Sequence, residues 1–104
     1  WAPVYTRSSQ PYWGFWHASN AWLADAFYER WRYGGDRAFL AERAWPLVRD
    51  AALFYLDWLR PDAEGRLVSG PSTSPENSFL DASGRPASGC SGPALDQQLV
   101  GELF

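Results

Sequence analysis

The sequence predicts an all-α chain, and three stripes of side chains carry that prediction. One runs through Trp16, Asn20, Leu23, Phe27 and Trp31 at three- and four-residue spacing, with Asp25, Glu29, Arg30 and Arg32 largely off it. A second, Leu47, Ala51, Phe54, Tyr55 and Trp58, follows the i, i+4, i+7, i+8, i+11 pattern of one helix face. A third, Leu95, Leu99 and Leu103, begins just after Pro93.

Taken in order, residues 1–15 read as loop, with Pro3, Pro11 and the polar "TRSSQ". The first helix is expected over 16–33 and ends at "YGGD", where Gly34 or Gly35 can take the left-handed C′ conformation and Asp36 can cap the next element. Pro46 divides the following segment into helices at 37–44 and 46–59, because proline is tolerated only in the first turn. The expected result is a helical hairpin with a Gly-Gly turn. Its first and third helices run antiparallel, and Leu23, Phe27 and Trp31 face Leu47, Ala51, Phe54 and Tyr55. From Arg60 to about Gly92 the pattern lapses, apart from a short strand at "GRLVS" after the turn "PDAEG". Loops of that length are uncommon unless functional or disordered. A last helix is expected over 93–104, with Pro93 near N1 and Ser91 as its N-cap. No 20- to 50-residue repeat is evident.

At 104 residues the chain amounts to one domain at most. It opens on Trp1, contains no Met and stops at "GELF" within an amphipathic segment, so it is expected to be part of a longer protein, incomplete at both ends. Seven Trp, five Tyr and six Phe make 17% of it aromatic. Such surface must be buried in a core, covered by a neighbouring part of the protein or used to stack a ligand. Nine basic residues, none of them Lys, against twelve acidic ones give a net charge of −3. Without a basic stripe to track phosphates, nucleic acid is not expected as a partner. No apolar run approaches the ~18 residues of a membrane span, and no basic-then-apolar signal pattern opens the chain. Cys90 lies alone in a Ser/Gly loop and reads as inert. No His/Cys/carboxylate set has ligand spacing, so neither a metal nor another cofactor is implied.

One short stretch asks for a chemical explanation. "GPSTSPENSF", residues 70–79, sets a single acid, Glu76, among Gly, Pro, Ser, Thr and Asn. Pro71 and Pro75 restrict the backbone, while Ser72, Thr73, Ser74 and Asn77 can satisfy loop amides and hold a carboxyl in one orientation. The competing reading is an ordinary helix start, "SPEN". Together with "YWGFWHASNAWLADAFYERWRYGGDRAFLAERAWPLVRDAALFYLDWL" before it and "LDQQLVGELF" after it, the stretch resembles consecutive segments of the catalytic domain of glycoside hydrolase family 95, the inverting α-L-fucosidases. The resemblance covers essentially the whole chain, with "PSTSPEN" its most specific part. Ser19-Asn20 stand where family members often have Gly-Gly, and Leu95 replaces the usual Met before Asp96, which leaves the sugar open.

The resemblance implies that the chain is a fragment of an (α/α)6 toroid comprising a helical hairpin, a long active-site loop and a further helix. Such a fragment would be inactive without the rest of the catalytic domain. It also implies that Glu76 is the general acid, which must protonate a glycosidic oxygen as the bond breaks. Inversion further needs a base that activates water on the opposite ring face, roughly 6.5 to 9.5 Å from the acid. In the family an Asn paired with an Asp does this, in motifs outside these 104 residues, so no base is assigned. Trp13, Trp16 and Trp22 are candidates to stack on a sugar, with core packing as the competing role. His17 could bind a sugar hydroxyl or be structural. Asp96 could meet a sugar hydroxyl or the acid loop, or simply complement the helix dipole. Asn77 and Ser74 are expected to support the acid. The implied partner is an oligosaccharide or glycan, extracellular or periplasmic in most of the family. Three functions stay open: an α-L-fucosidase, a related enzyme acting on another sugar (an α-L-galactosidase or α-L-rhamnosidase), and a non-catalytic carbohydrate-binding relic.

Overall fold

A computed structural model describes Gly14 and residues 16–104. The loop expected over 1–15 and the candidate platform Trp13 fall outside the described residues, Gly14 aside. Helix α1 spans Ser19–Gly34, three residues later than the stripe suggested. Its N-cap, Ala18, has no side chain that can cap. The orphan first-turn donor Ala21 N–H is satisfied instead by the Tyr55 hydroxyl at 3.2 Å, and Ser19 Oγ donates to the Trp16 carbonyl at 3.3 Å. At the other end Gly35 adopts φ +68° and donates its N–H to the Trp31 carbonyl at 2.7 Å, as expected of a glycine C-cap. Asp36 then caps α2 (Arg37–Phe39), its Oδ1 accepting from the amides of Ala38 and Phe39 at 3.0 Å each.

Pro46 does not divide the next helix as expected. A π-helical turn, Leu40–Ala44, joins α2 to α3 (Trp45–Trp58) without a break. The Trp45 amide reaches back five residues to the Leu40 carbonyl. Widening the turn just before the proline accommodates its ring and its missing donor while the helix continues. Helix α4 spans Ala94–Leu103, and its N-cap is Pro93 rather than Ser91.

Tyr55, near the end of α3, meets Ala21, near the start of α1, so the two helices run antiparallel as predicted. Of the predicted facing residues Ala51 and Tyr55 are in the core as expected, and Leu23, Leu47 and Phe54 are corrected. The core is Ala21, Ala24, Ala51, Tyr55 and Val100, whereas Leu23 and Leu47 are exposed and Phe54 is partly so. Small residues on α1 let its backbone come within hydrogen-bonding reach of Tyr55, which the bulky stripe would prevent. Phe27 instead stacks on Phe39 at 6.0 Å, where Arg30 covers the other ring at 4.4 Å. Among the described aromatic residues Tyr55 alone is fully buried, and Trp22, Tyr33, Trp45 and Phe104 are each more than half exposed.

All-α is also corrected: the chain is about half helical, with small strand pieces. Six two-residue strands form three antiparallel ladders between α3 and α4. β1 (Arg60–Pro61) pairs with β2 (Leu67–Val68), β3 (Ser72–Thr73) with β6 (Gly89–Cys90), and β4 (Phe79–Leu80) with β5 (Pro86–Ala87). The strand expected at "GRLVS" is therefore present, and the remainder is folded rather than irregular. Both tight hairpins use one chemistry, Asp-Ala-x-Gly-Arg, at residues 62–66 and 81–85. In each, the Asp Oδ1 accepts from the amides two and four residues on, the Asp N–H donates to the Arg carbonyl at 2.8 Å, and the Gly sits at φ near +80°. These bonds hold the carboxylates of Asp62 and Asp81 below their ordinary pKa. The leading cause is the Arg66 amide for Asp62 and the Ser83 hydroxyl for Asp81.

Candidate active site

The loop bearing Glu76 is fixed at its root. Ser69 is fully buried and all three of its polar groups are engaged. Its N–H donates to Gln97 Oε1 at 3.0 Å, its Oγ donates to Asp96 Oδ2 at 3.0 Å, and its carbonyl accepts from the Gly92 amide at 2.6 Å. Gln97 also donates to the Leu67 carbonyl at 3.0 Å. The next residue must be small, since a Cβ on Gly70 would lie 2.7 Å from Ser91 Oγ. Gly92, at φ +62°, would likewise press a Cβ to 3.3 Å from Val68. The β3–β6 ladder then closes the neck of the loop through Ser72 and Cys90, Thr73 and Gly89.

Beyond the neck the chain turns around the acid. The Asn77 amide donates to the Ser74 carbonyl at 2.6 Å, and Asn77 Nδ2 donates to Ser74 Oγ at 3.2 Å. Asn77 and Ser74 thus clip together around Glu76, whose side chain is exposed. Ser72, expected to satisfy a loop amide, instead buries an Oγ that finds no partner among the described residues.

Asp96 and Trp16 meet although 80 positions separate them: Trp16 Nε1 donates to Asp96 Oδ1 at 3.0 Å. Asp96 has no exposed surface, so of the contacts expected of it the structure supplies the one to the acid loop, through Ser69. Its third-residue place in α4 also lets it complement the helix N-terminus. Trp22 lies 6.1 Å from Trp16, centroid to centroid, and is 59% exposed, which makes it the more accessible of the two described candidate platforms. His17 packs among aromatic rings, 5.0 Å from Trp58 and stacked 6.3 Å from Phe54, while its carbonyl accepts from the Tyr55 hydroxyl at 2.9 Å. Burial pushes the Tyr55 hydroxyl above its ordinary pKa, as does the Asp96 charge, against the opposing pull of the Ala21 amide. Burial also raises the Cys90 thiol above its ordinary pKa, helped by the Asp96 charge.

The described candidates other than His17, which packs against Phe54 and Trp58 of α3, fall into two groups. Ser74, Glu76 and Asn77 form the loop tip, and Trp16, Trp22 and Asp96 form the junction of α1 with α4. Ser69 and Gln97, which join them, carry no signal in the sequence, because their partners lie 27 to 30 positions away. A cavity of about 270 Å³ among Asp25, Tyr28, Trp45 and Phe104 includes none of these residues.

The whole chain, residues 1–104, matches the glycosyl hydrolase family 95 catalytic domain. It belongs to that family. The family 95 chain is 34% identical over 104 residues to Alpha-L-fucosidase 2 of Arabidopsis thaliana, a match covering 100% of the chain and 12% of that relative. It is 33% identical over 104 residues to Probable alpha-fucosidase A of Aspergillus niger, covering 88% of the chain and 11% of that relative. The chain thus spans about an eighth of the length of these curated relatives.

Proposed function

We propose that this chain is the acid-bearing part of an inverting α-L-fucosidase, built into an (α/α)6 toroid whose remaining helices cover the aromatic residues exposed here. Glu76 is the general acid that protonates the departing glycosidic oxygen. The observation that carries the reading is the construction of its loop: the root is bonded at every polar group of Ser69, the neck is a β-ladder, and the Ser74–Asn77 clip surrounds an accessible carboxylate. A loop tied down at three levels fixes the backbone that carries the proton donor, and general acid catalysis requires a positioned donor. The fucosidase names of the two relatives support the sugar class. Trp22, beside Trp16, offers an apolar face for the sugar ring, and His17 lines the same end of α1. The water-activating base comes from elsewhere in the protein.

Glu76→Gln in the full-length protein tests the assignment. It keeps the shape of the side chain but cannot deliver a proton, so kcat on an α-L-fucosyl disaccharide should fall by ~10²- to 10⁴-fold. A dinitrophenyl fucoside, whose leaving group is already a stable anion, should lose much less. Equal losses on both, with raised KM, would show a binding role instead. A panel of aryl α-L-fucosides, α-L-galactosides and α-L-rhamnosides on the unmutated protein decides the sugar.

A further inference from the structure

We propose that Asp96 is a positioning residue for the acid, acting through the Ser69 hydroxyl; the proposal rests on the reading of Glu76 as proton donor. A carboxylate with no exposed surface is costly to bury unless charge-assisted hydrogen bonds engage both oxygens. Asp96 meets that condition with two donors far apart in the chain. Oδ1 takes Trp16 Nε1 from the segment entering α1, and Oδ2 takes Ser69 Oγ from the root of the acid loop, each at 3.0 Å. Its neighbour Gln97 holds the Ser69 amide and the Leu67 carbonyl. The first turn of α4 thereby fixes where the loop leaves the body of the protein, seven residues before Glu76. It fixes in the same act the position of Trp16, against which the exposed Trp22 leans. One buried carboxylate sets the acid loop and the aromatic face in a common frame. A displacement near 1 Å at a reacting group can lower the rate ~10²-fold, so the geometry of this junction bears directly on catalysis.

The test uses the full-length protein with Ser69→Ala, Asp96→Asn and the double variant. Ser69→Ala removes one hydroxyl and leaves the Ser69 amide and carbonyl bonds in place, so it provides a folded variant even if Asp96→Asn does not. Amide hydrogen exchange at Ser72, Thr73 and Asn77 should speed up ~10- to 100-fold in Ser69→Ala, the scale set by losing a hydrogen bond to a charged group. In the same variant kcat on an α-L-fucosyl disaccharide should fall ~10- to 100-fold with KM little changed, and the dinitrophenyl fucoside should lose far less. Adding Asp96→Asn to Ser69→Ala should cost the loop amides little more, since both act on one bond. Unchanged exchange at the three loop amides overturns the proposal. So does faster exchange accompanied by equal rate losses on the two substrates, when Glu76→Gln does discriminate between them. If the loop amides loosen but Glu76→Gln fails to discriminate, the anchor stands and the assignment of Glu76 as the acid falls.

Discussion

Tyr55→Phe deletes a single oxygen and should unfasten the start of α1. The hydroxyl is buried and bonded twice: it accepts from the Ala21 amide at 3.2 Å and donates to the His17 carbonyl at 2.9 Å. The two losses differ in size. The His17 carbonyl keeps a second donor, the Asn20 amide at 3.3 Å, so its share is small. The Ala21 amide is a first-turn donor of a helix without a side-chain cap, and nothing replaces its partner. Leaving a buried donor unpaired costs about 1–3 kcal/mol. The remaining phenyl ring fits the same slot, edge-on to Phe54 at 5.1 Å and 5.9 Å from Trp58, so no cavity opens. A net loss of about 1–3 kcal/mol should raise hydrogen exchange at the first-turn amides of α1 by about 5- to 140-fold, at 1.4 kcal/mol per tenfold. Exchange mass spectrometry on the full-length protein, comparing peptides over residues 19–26 with peptides over α4, reads this directly. Unchanged exchange in α1, or an equal rise throughout, would refute the idea that Tyr55 serves as a tertiary cap.

Two further outcomes follow from the turns. The Asp62 and Asp81 carboxylates are held below their ordinary 3.8, so their contribution to the hairpins is present above that pH and is lost as the pH falls through the depressed values. Site-resolved carboxylate titration should give midpoints below 3.8 for both; Ser83→Ala removes the leading bond to Asp81 and should move its midpoint back toward the ordinary value, whereas Arg66→Ala keeps the Arg66 amide and should leave Asp62 depressed. Gly92→Ala forces a side chain into φ +62° with its Cβ 3.3 Å from Val68, and should cost about 1–2 kcal/mol. Gly89→Ala, where an added Cβ meets nothing within 4 Å, should change stability by less than ~0.5 kcal/mol. Thermal unfolding of the two variants side by side checks the contrast, and equal effects would argue against strain at Gly92.

Local chemistry was legible wherever a residue's partner is close in sequence. Gly35 and Asp36 were readable as C-cap and N-cap because both act within four residues. The strand at "GRLVS" followed from its Asp-Gly turn. The second hairpin carries the same Asp-Ala-x-Gly-Arg sequence 19 positions later and was open to the same reasoning, but prolines and serines around it masked the strand pattern. The α1–α3 interface was misread because periodicity weights large side chains, and α1 is apolar on more than one face. Close approach chose the face of Ala21 and Ala24.

By itself, then, the sequence determined the helical hairpin, the caps at Gly35 and Asp36, and the position of Glu76 as the one acid of residues 70–79. All of these depend on backbone preferences and side-chain bonds spanning a few residues. The tertiary structure alone decided that Asp96 is buried, that Trp16 and Ser69 are its donors and that Tyr55 caps α1. Each of those facts is a pairing across 27 to 80 positions. Such pairings leave no periodicity or spacing behind, because the polar groups are brought together only when the apolar faces around them pack and exclude water.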